Sequence, residues 1–323
     1  MLYSLDDITI IPANLSHIEH RSECNVFDKA GKLPIFAAPM SCVINTRNYM
    51  KFEDNGIHTI IPRNIDFKTR FNLSKEVFAA VSLSEFEQYI ALAPKFEEKH
   101  YICVDIANGH MKKLYDLSRT AKDVHKDNLI LMVGNIANPE TYKLYAEIGV
   151  DYVRAGIGSG NVCTTSANTG IHYPMASLID DCYSLKLQNH YNTKIVADGG
   201  FKNFDQIIKA LAIGADYVMI GQILAKSTQA CGKAELIKGE TLREYYGMST
   251  KRAQKEFGKE GNTTAEGIVK WVKVEYTIEK WVDNFKSYLK SAMSYCDCKT
   301  LEEFNDYGYW EVMTPTGRAA FYK

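Results

Sequence analysis

Short runs of apolar and β-branched residues alternate along the chain with longer polar or amphipathic stretches. Eight such runs, at residues 34–40, 58–62, 78–83, 101–107, 129–135, 152–157, 194–197 and 217–220, are continuous and predict strands buried on both faces. Between them the spacing changes to a helical period. Tyr142, Leu144, Tyr145 and Ile148 fall on one side of a predicted helix over 140–148, and Ile207, Ile208, Leu211 and Ile213 on one side of another over 204–213. Eight β/α units in 323 residues predict an α/β fold of the TIM (β/α)8 barrel type. A doubly wound open sheet is the competing arrangement. Its dinucleotide fingerprint is missing, because Gly156-x-Gly158-x-Gly160 follows a late strand and no acidic residue is spaced to clamp a ribose.

A barrel gathers its chemistry at the C-terminal ends of its strands, and here those ends are polar, glycine-rich or both. The sixth run leads into Gly156-Ile-Gly-Ser-Gly-Asn-Val-Cys-Thr-Thr165, whose alternate glycines allow close backbone approach to a ligand. Cys163 at the end of that loop is a candidate nucleophile. Its other reading is a small core thiol, although loop glycines and two threonines flank it rather than an apolar surround. Asp198-Gly-Gly200 and Gly221-Gln222 end the seventh and eighth runs, where barrels commonly bind phosphate through backbone amides. Alternatively, those glycines only turn tight corners. Asp105, ending the fourth run, reads either as a ligand contact or as a cap on the next helix.

Charge and composition narrow the partners. Lys and Arg number 38 against 39 Asp and Glu, a net charge of −1, which supplies no global field for nucleic acid or an anionic membrane. A small-molecule substrate is expected. Eight irregularly spaced cysteines and no signal peptide suit reduced thiols in a cytoplasmic protein, and Cys296 and Cys298 lack the spacing of a zinc site. No apolar run approaches the roughly 20 residues of a membrane-spanning helix.

Six motifs in order, Leu5-Asp-Asp-Ile-Thr-Ile-Ile-Pro12, Pro34-Ile-Phe-Ala-Ala-Pro-Met40, the cysteine loop, Ala197-Asp-Gly-Gly200, Tyr246-Gly-Met-Ser249 and Ala265-Glu-Gly267, span nearly the whole sequence. Together they closely resemble the IMP dehydrogenase and GMP reductase family of TIM-barrel purine nucleotide oxidoreductases. The resemblance implies one catalytic domain over 1–323, with an N-terminal extension, a mobile flap at about 223–275, a C-terminal helical tail and no inserted CBS pair. It implies Cys163, Thr165 and Glu266 as catalytic residues. Substrate would be bordered by Met40, Asn161, Asp198, Gly199, Gly200, Gly221, Gln222, Tyr246, Gly247, Met248 and Ser249. Asp105, Ala107, Asn108, Gly156, Thr165 and Glu266 would lie near the cofactor. The carbonyls of Gly158, Gly160 and Cys163 would face a monovalent cation such as potassium, and the assembly would be a homotetramer.

Within the family, Ala107-Asn-Gly109, Cys163-Thr-Thr165, Thr169-Gly170, Tyr173-Pro174 and Tyr246-Gly-Met-Ser249 are similar to the reductase pattern. The Arg-Tyr pair with which dehydrogenases activate water has no counterpart between Thr250 and Asn262. An NADPH-dependent reductase acting on GMP is therefore the expectation, with Cys163 adding to the purine C2 and Glu266 passing a proton to the departing amine. The alternatives are an NAD-dependent IMP dehydrogenase without CBS domains, a variant acting on a deoxy or modified guanine nucleotide, and a noncatalytic nucleotide binder. By residue type alone, Glu266 reads equally as a solvated flap charge. Five positions depart from the family: Asn161 replaces a serine, Gln222 a glycine, Ser41 and Cys42 in Met40-Ser41-Cys42 the last two residues of the usual Met-Asp-Thr, and Thr263 an arginine. Met313-Thr-Pro-Thr-Gly317 looks more like a dehydrogenase tail. Trp271 and Trp281 are expected to pack rather than stack on ligand.

Overall fold

A computed structural model describes residues 1–91, 96–256 and 264–321. After a short first strand, β1 (Ile8–Ile10), eight parallel strands close into a barrel: β2 (Ile35–Ala37), β3 (His58–Ile61), β4 (Phe78–Val81), β5 (His100–Asp105), β6 (Leu129–Ile136), β7 (Tyr152–Ala155), β8 (Lys194–Asp198) and β9 (Tyr217–Ile220). Each coincides with one of the eight apolar runs. Burial on both faces explains the legibility: inward residues such as Phe36, Cys103, Met132 and Val196 fill the barrel, while outward ones such as Ile102, Leu131, Val133 and Ile195 pack under the helices.

The expected helices form at Pro139–Glu147 and Phe204–Ala212. The first carries Pro at its start and an Asn138 cap bonded to the Glu140 amide at 2.9 Å, which fixes where it begins. Leu144 departs from expectation. It is 48% exposed, so Tyr142 and Tyr145 carry that helix's contact with the barrel. Trp281 does pack, stacked at 5.4 Å on both Phe204 and Phe285, whereas Trp271 is exposed on a strand.

Beyond β9 the chain builds an antiparallel sheet of β10 (Ala234–Ile237), β11 (Glu240–Tyr246) and β12 (Val269–Lys273). The last strand, β13 (Trp310–Val312), pairs with β1, joining the two ends of the chain. Among the described residues no helix is long and apolar enough to cross a membrane.

Candidate active site

A cavity of about 370 Å³ opens at the C-terminal ends of the barrel strands. Its walls bring together most of the residues singled out in the sequence: Met40, Asp105, Ala107, Gly156, Gly158, Gly160, Asn161, Cys163, Thr165, Asp198, Gly199, Gly200, Gly221, Gln222, Gly247, Met248 and Ser249. In barrel order the cysteine loop after β7 stands between the Asp105 side and the Asp198 and Gly221 side.

Cys163 is half-buried. Its thiol donates to Thr165 Oγ1 at 3.2 Å, and that hydroxyl donates to Glu266 Oε2 at 2.6 Å. Glu266 reaches across 101 residues of sequence because its segment bridges antiparallel to the cysteine loop, Cys163 opposite Gly267. The Thr164 amide donates to the Glu266 carbonyl at 3.1 Å, and the Ile268 amide to the Val162 carbonyl at 2.9 Å. Ser249 Oγ adds a bond to the Glu266 carbonyl at 3.0 Å. A solvated flap charge would show none of this. Elsewhere burial pushes the buried Cys42 and Cys103 thiols up to about 12, which suits inert core thiols, and the half-buried Cys231 up to about 11.

Beneath the cavity runs a chain of charges that the sequence reading did not assign. Arg154, inward on β7 and buried, donates to Asp105 Oδ1 at 2.8 Å through Nη1 and to Asp198 Oδ2 at 2.8 Å through Nη2. Arg63 pairs with the other Asp105 oxygen at 3.3 Å. Burial alone would raise the Asp105 carboxyl, but the Arg154 and Arg63 charges outweigh it and hold the group below its ordinary value. Gly134 makes room for this arginine. A Cβ there would stand 2.5 Å from Arg154 Cβ, at a backbone φ of +153°. Asn135 Nδ2 also donates to Asp198 Oδ2, at 2.7 Å. With Arg154 Nε at 3.2 Å, three donors converge on Oδ2, while Oδ1 accepts from no group among the described residues. One charge inside an otherwise apolar run was the available signal for Arg154.

Some residues stand elsewhere. Asn108 Oδ1 accepts the His110 amide at 3.1 Å and closes its own turn, outside the cavity lining. Asp105 does not cap the next helix, whose cap position is Met111. Tyr246 points away from the cavity toward Ser41 and Glu256, and its strand neighbour Tyr245 faces the cavity instead, the alternation of a strand. Asn161 Nδ2 donates to the Phe201 carbonyl at 3.2 Å. The Gly158 carbonyl accepts Ser166 Oγ at 3.2 Å and the Gly160 carbonyl accepts the Cys163 amide at 2.9 Å. No group of three or more His, Cys, Asp or Glu among the described residues is disposed for a metal ion, Cys296 and Cys298 included. Thr263 lies outside the described residues.

The IMP dehydrogenase / GMP reductase domain matches residues 3–320. The chain belongs to that family. Similar proteins include GMP reductases of Staphylococcus epidermidis, 29% identical over 322 residues and 95% of each chain, and of Chromobacterium violaceum, 29% identical over 308 residues, 91% of this chain and 93% of that one. The GMP reductase of Staphylococcus carnosus is 27% identical over 95% of each. Coverage of nearly the full length on both sides leaves no room for an inserted CBS pair. The family's members are purine nucleotide oxidoreductases, and the cavity brings a thiol, carboxylates and a glycine-lined wall together.

Proposed function

We propose that the chain is an NADPH-dependent GMP reductase, converting GMP to IMP and ammonia through a covalent adduct at Cys163. The observation that carries this reading is the continuous path from the Cys163 thiol through Thr165 to the Glu266 carboxylate. The thiol proton moves along that path, leaving a thiolate at Cys163 and an acid at Glu266. The thiolate adds to C2 of the guanine, and Glu266, through Thr165, delivers the proton with which the amine leaves as ammonia. A thioimidate results. NADPH supplies the hydride that reduces C2, after which the carbon–sulfur bond breaks and Cys163 retains the electron pair. Asp198 Oδ1 accepts from the ribose, while the amides of Gly200 and Gly221 face the phosphate; the Gly199 amide donates to the Met219 carbonyl at 3.4 Å, so Gly199 contributes close backbone approach instead. Ala107 and Gly156 border the nicotinamide side, and Arg154 and Arg63 keep Asp105 ionised there. If potassium binds, the carbonyls of Gly158, Gly160 and Cys163 are this chain's donors.

Tyr246 supports the reductase over the dehydrogenase. Arg252 stands over its ring at 5.3 Å, the nearest thing in this region to an Arg-Tyr pair. Burial, reinforced by the Glu256 carboxylate, pushes the phenol up, so it stays protonated at neutral pH, and its hydroxyl is engaged outside the cavity. The test is absorbance of the reduced nicotinamide. NADPH oxidation with GMP and stoichiometric ammonia is expected; steady NAD reduction with IMP, and none of the former, overturns the reading in favour of the dehydrogenase. The same family grounds support a cytoplasmic homotetramer, checked by light scattering at four chain masses.

A further inference from the structure

We infer that Glu256 is a positioning residue that clamps together the two sides of the cavity mouth carrying Met40 and Met248. On one side the chain leaves β2 through Met40, which lines the cavity, to Ser41. On the other, β11 ends at Tyr246, which is followed by the lining residues Gly247, Met248 and Ser249. Ser41 Oγ and the Tyr246 hydroxyl stand 3.2 Å apart, and both donate to Glu256: Ser41 to Oε2 at 2.8 Å and Tyr246 to Oε1 at 2.7 Å. Arg252 Nη1 pairs with the same Oε1 at 3.0 Å.

Charge makes this clamp stronger than its small size suggests. Hydrogen bonds to a charged acceptor are roughly twice as strong as neutral ones; of the two made to Glu256, the Tyr246 bond is partly buried and the Ser41 bond lies at the exposed rim. The arrangement requires a donor at position 41. An aspartate there would put a second carboxylate against Glu256, and like charges at that distance repel. The serine at position 41 is therefore matched by the carboxylate of Glu256. Glu256 does not itself line the cavity. It acts through Tyr246 on Met248, and through Ser249, whose hydroxyl holds the Glu266 carbonyl, on the proton path.

The experiment uses the full chain with Ser41→Asp, Glu256→Gln and the double variant. Alkylation of Cys163 by iodoacetamide, followed by mass of its peptide, reports how open the mouth is without any choice of substrate. Steady-state kinetics with GMP and NADPH form the second arm, which alone rests on the reductase reading. Ser41→Asp should alkylate at least about fivefold faster and show about a tenfold higher KM for GMP, with a smaller fall in kcat. The double variant, in which the side-chain amide introduced by Glu256→Gln would donate to the new carboxylate, should return to within about twofold of the parent. Parental behaviour of Ser41→Asp, or a double variant no better than it, overturns the proposal. Should Ser41→Asp fail to fold, Glu256→Ala is expected to open the mouth in the same direction, and unchanged alkylation overturns the clamp. If the parent fails to turn over GMP, the function reading falls while the alkylation arm still decides this one.

Discussion

The two ends of the barrel are built from the same eight strands and both hold buried charges, yet they close differently. At the N-terminal end, Asp28 accepts His58 Nε2 at 2.7 Å and the Tyr217 hydroxyl at 3.0 Å on Oδ2, and the amides of Ala30 and Lys32 at 2.9 Å on Oδ1. Around it Phe36, Phe78, Tyr152 and Tyr217 pack edge-on or tilted at 5.2 to 5.9 Å. Both carboxylate oxygens are engaged within the protein. At the C-terminal end Asp198 has three donors on one oxygen and presents the other to a cavity. Burial and ionisation are thus shared by both ends. Cavities stand at both ends as well, about 370 Å³ beside Asp198 and about 400 Å³ beside Asp28, His58 and Tyr217, so what separates the candidate site from this aromatic plug is whether the polar groups satisfy one another completely.

The widest separation of the two ends comes from the proposed nucleophile. Cys163→Ala should lower turnover by about 10⁴-fold or more while calorimetry still detects nucleotide binding, since the proposed ribose and phosphate contacts lie elsewhere. Near-normal turnover would remove the thiol from the mechanism. Glu266→Gln keeps an acceptor for Thr165 but cannot carry the proton. Ammonia release should fall about 10²- to 10⁴-fold with GMP affinity little changed, and a matched fall in affinity would argue for a binding role instead.

A stability experiment probes the charge chain. Arg154→Met leaves Asp105 and Asp198 buried without their shared cation, and urea unfolding at pH 7 should show a loss of about 3–5 kcal/mol. The sign with pH is fixed by the direction of the Asp105 shift. In the parent, the depressed carboxyl contributes stability above its ordinary 3.8, and that contribution is lost as pH falls through the lower folded value. In the variant the Asp105 carboxyl titrates higher, so the gap between variant and parent should narrow from pH 7 toward about pH 4.5. A constant gap would mean lost packing rather than lost charge. The smallest effect belongs to the plug: Tyr217→Phe removes one donor to Asp28 and should cost about 1 kcal/mol, read as a shift in urea midpoint, with kinetics within about twofold of the parent.

The barrel was legible in the sequence because parallel strands covered on both faces appear as unbroken apolar runs. The C-terminal ends then pointed to Cys163, Asp198 and the glycines. Arg154 escaped notice because the strand pattern absorbs a single polar residue, and whether it faces inward depends on a pleat that the run does not reveal. Tyr246 and Tyr245 show the same difficulty, since adjacent aromatics on a strand look alike until its register places one in the cavity and the other against Glu256. Glu266 became meaningful only by pairing with a loop 101 residues earlier, information no local pattern holds.

That pairing sets a local stability distinct from the barrel's own. The backbone bonds from Thr164 to the Glu266 carbonyl and from Ile268 to the Val162 carbonyl can break without disturbing any barrel strand, and their opening disconnects the acid from the thiol. Hydrogen exchange at these two amides therefore measures the fraction of molecules in which the machinery is assembled. A substitution far out on the flap that speeds exchange there would lower turnover in proportion, while leaving the thermal unfolding of the barrel where it was.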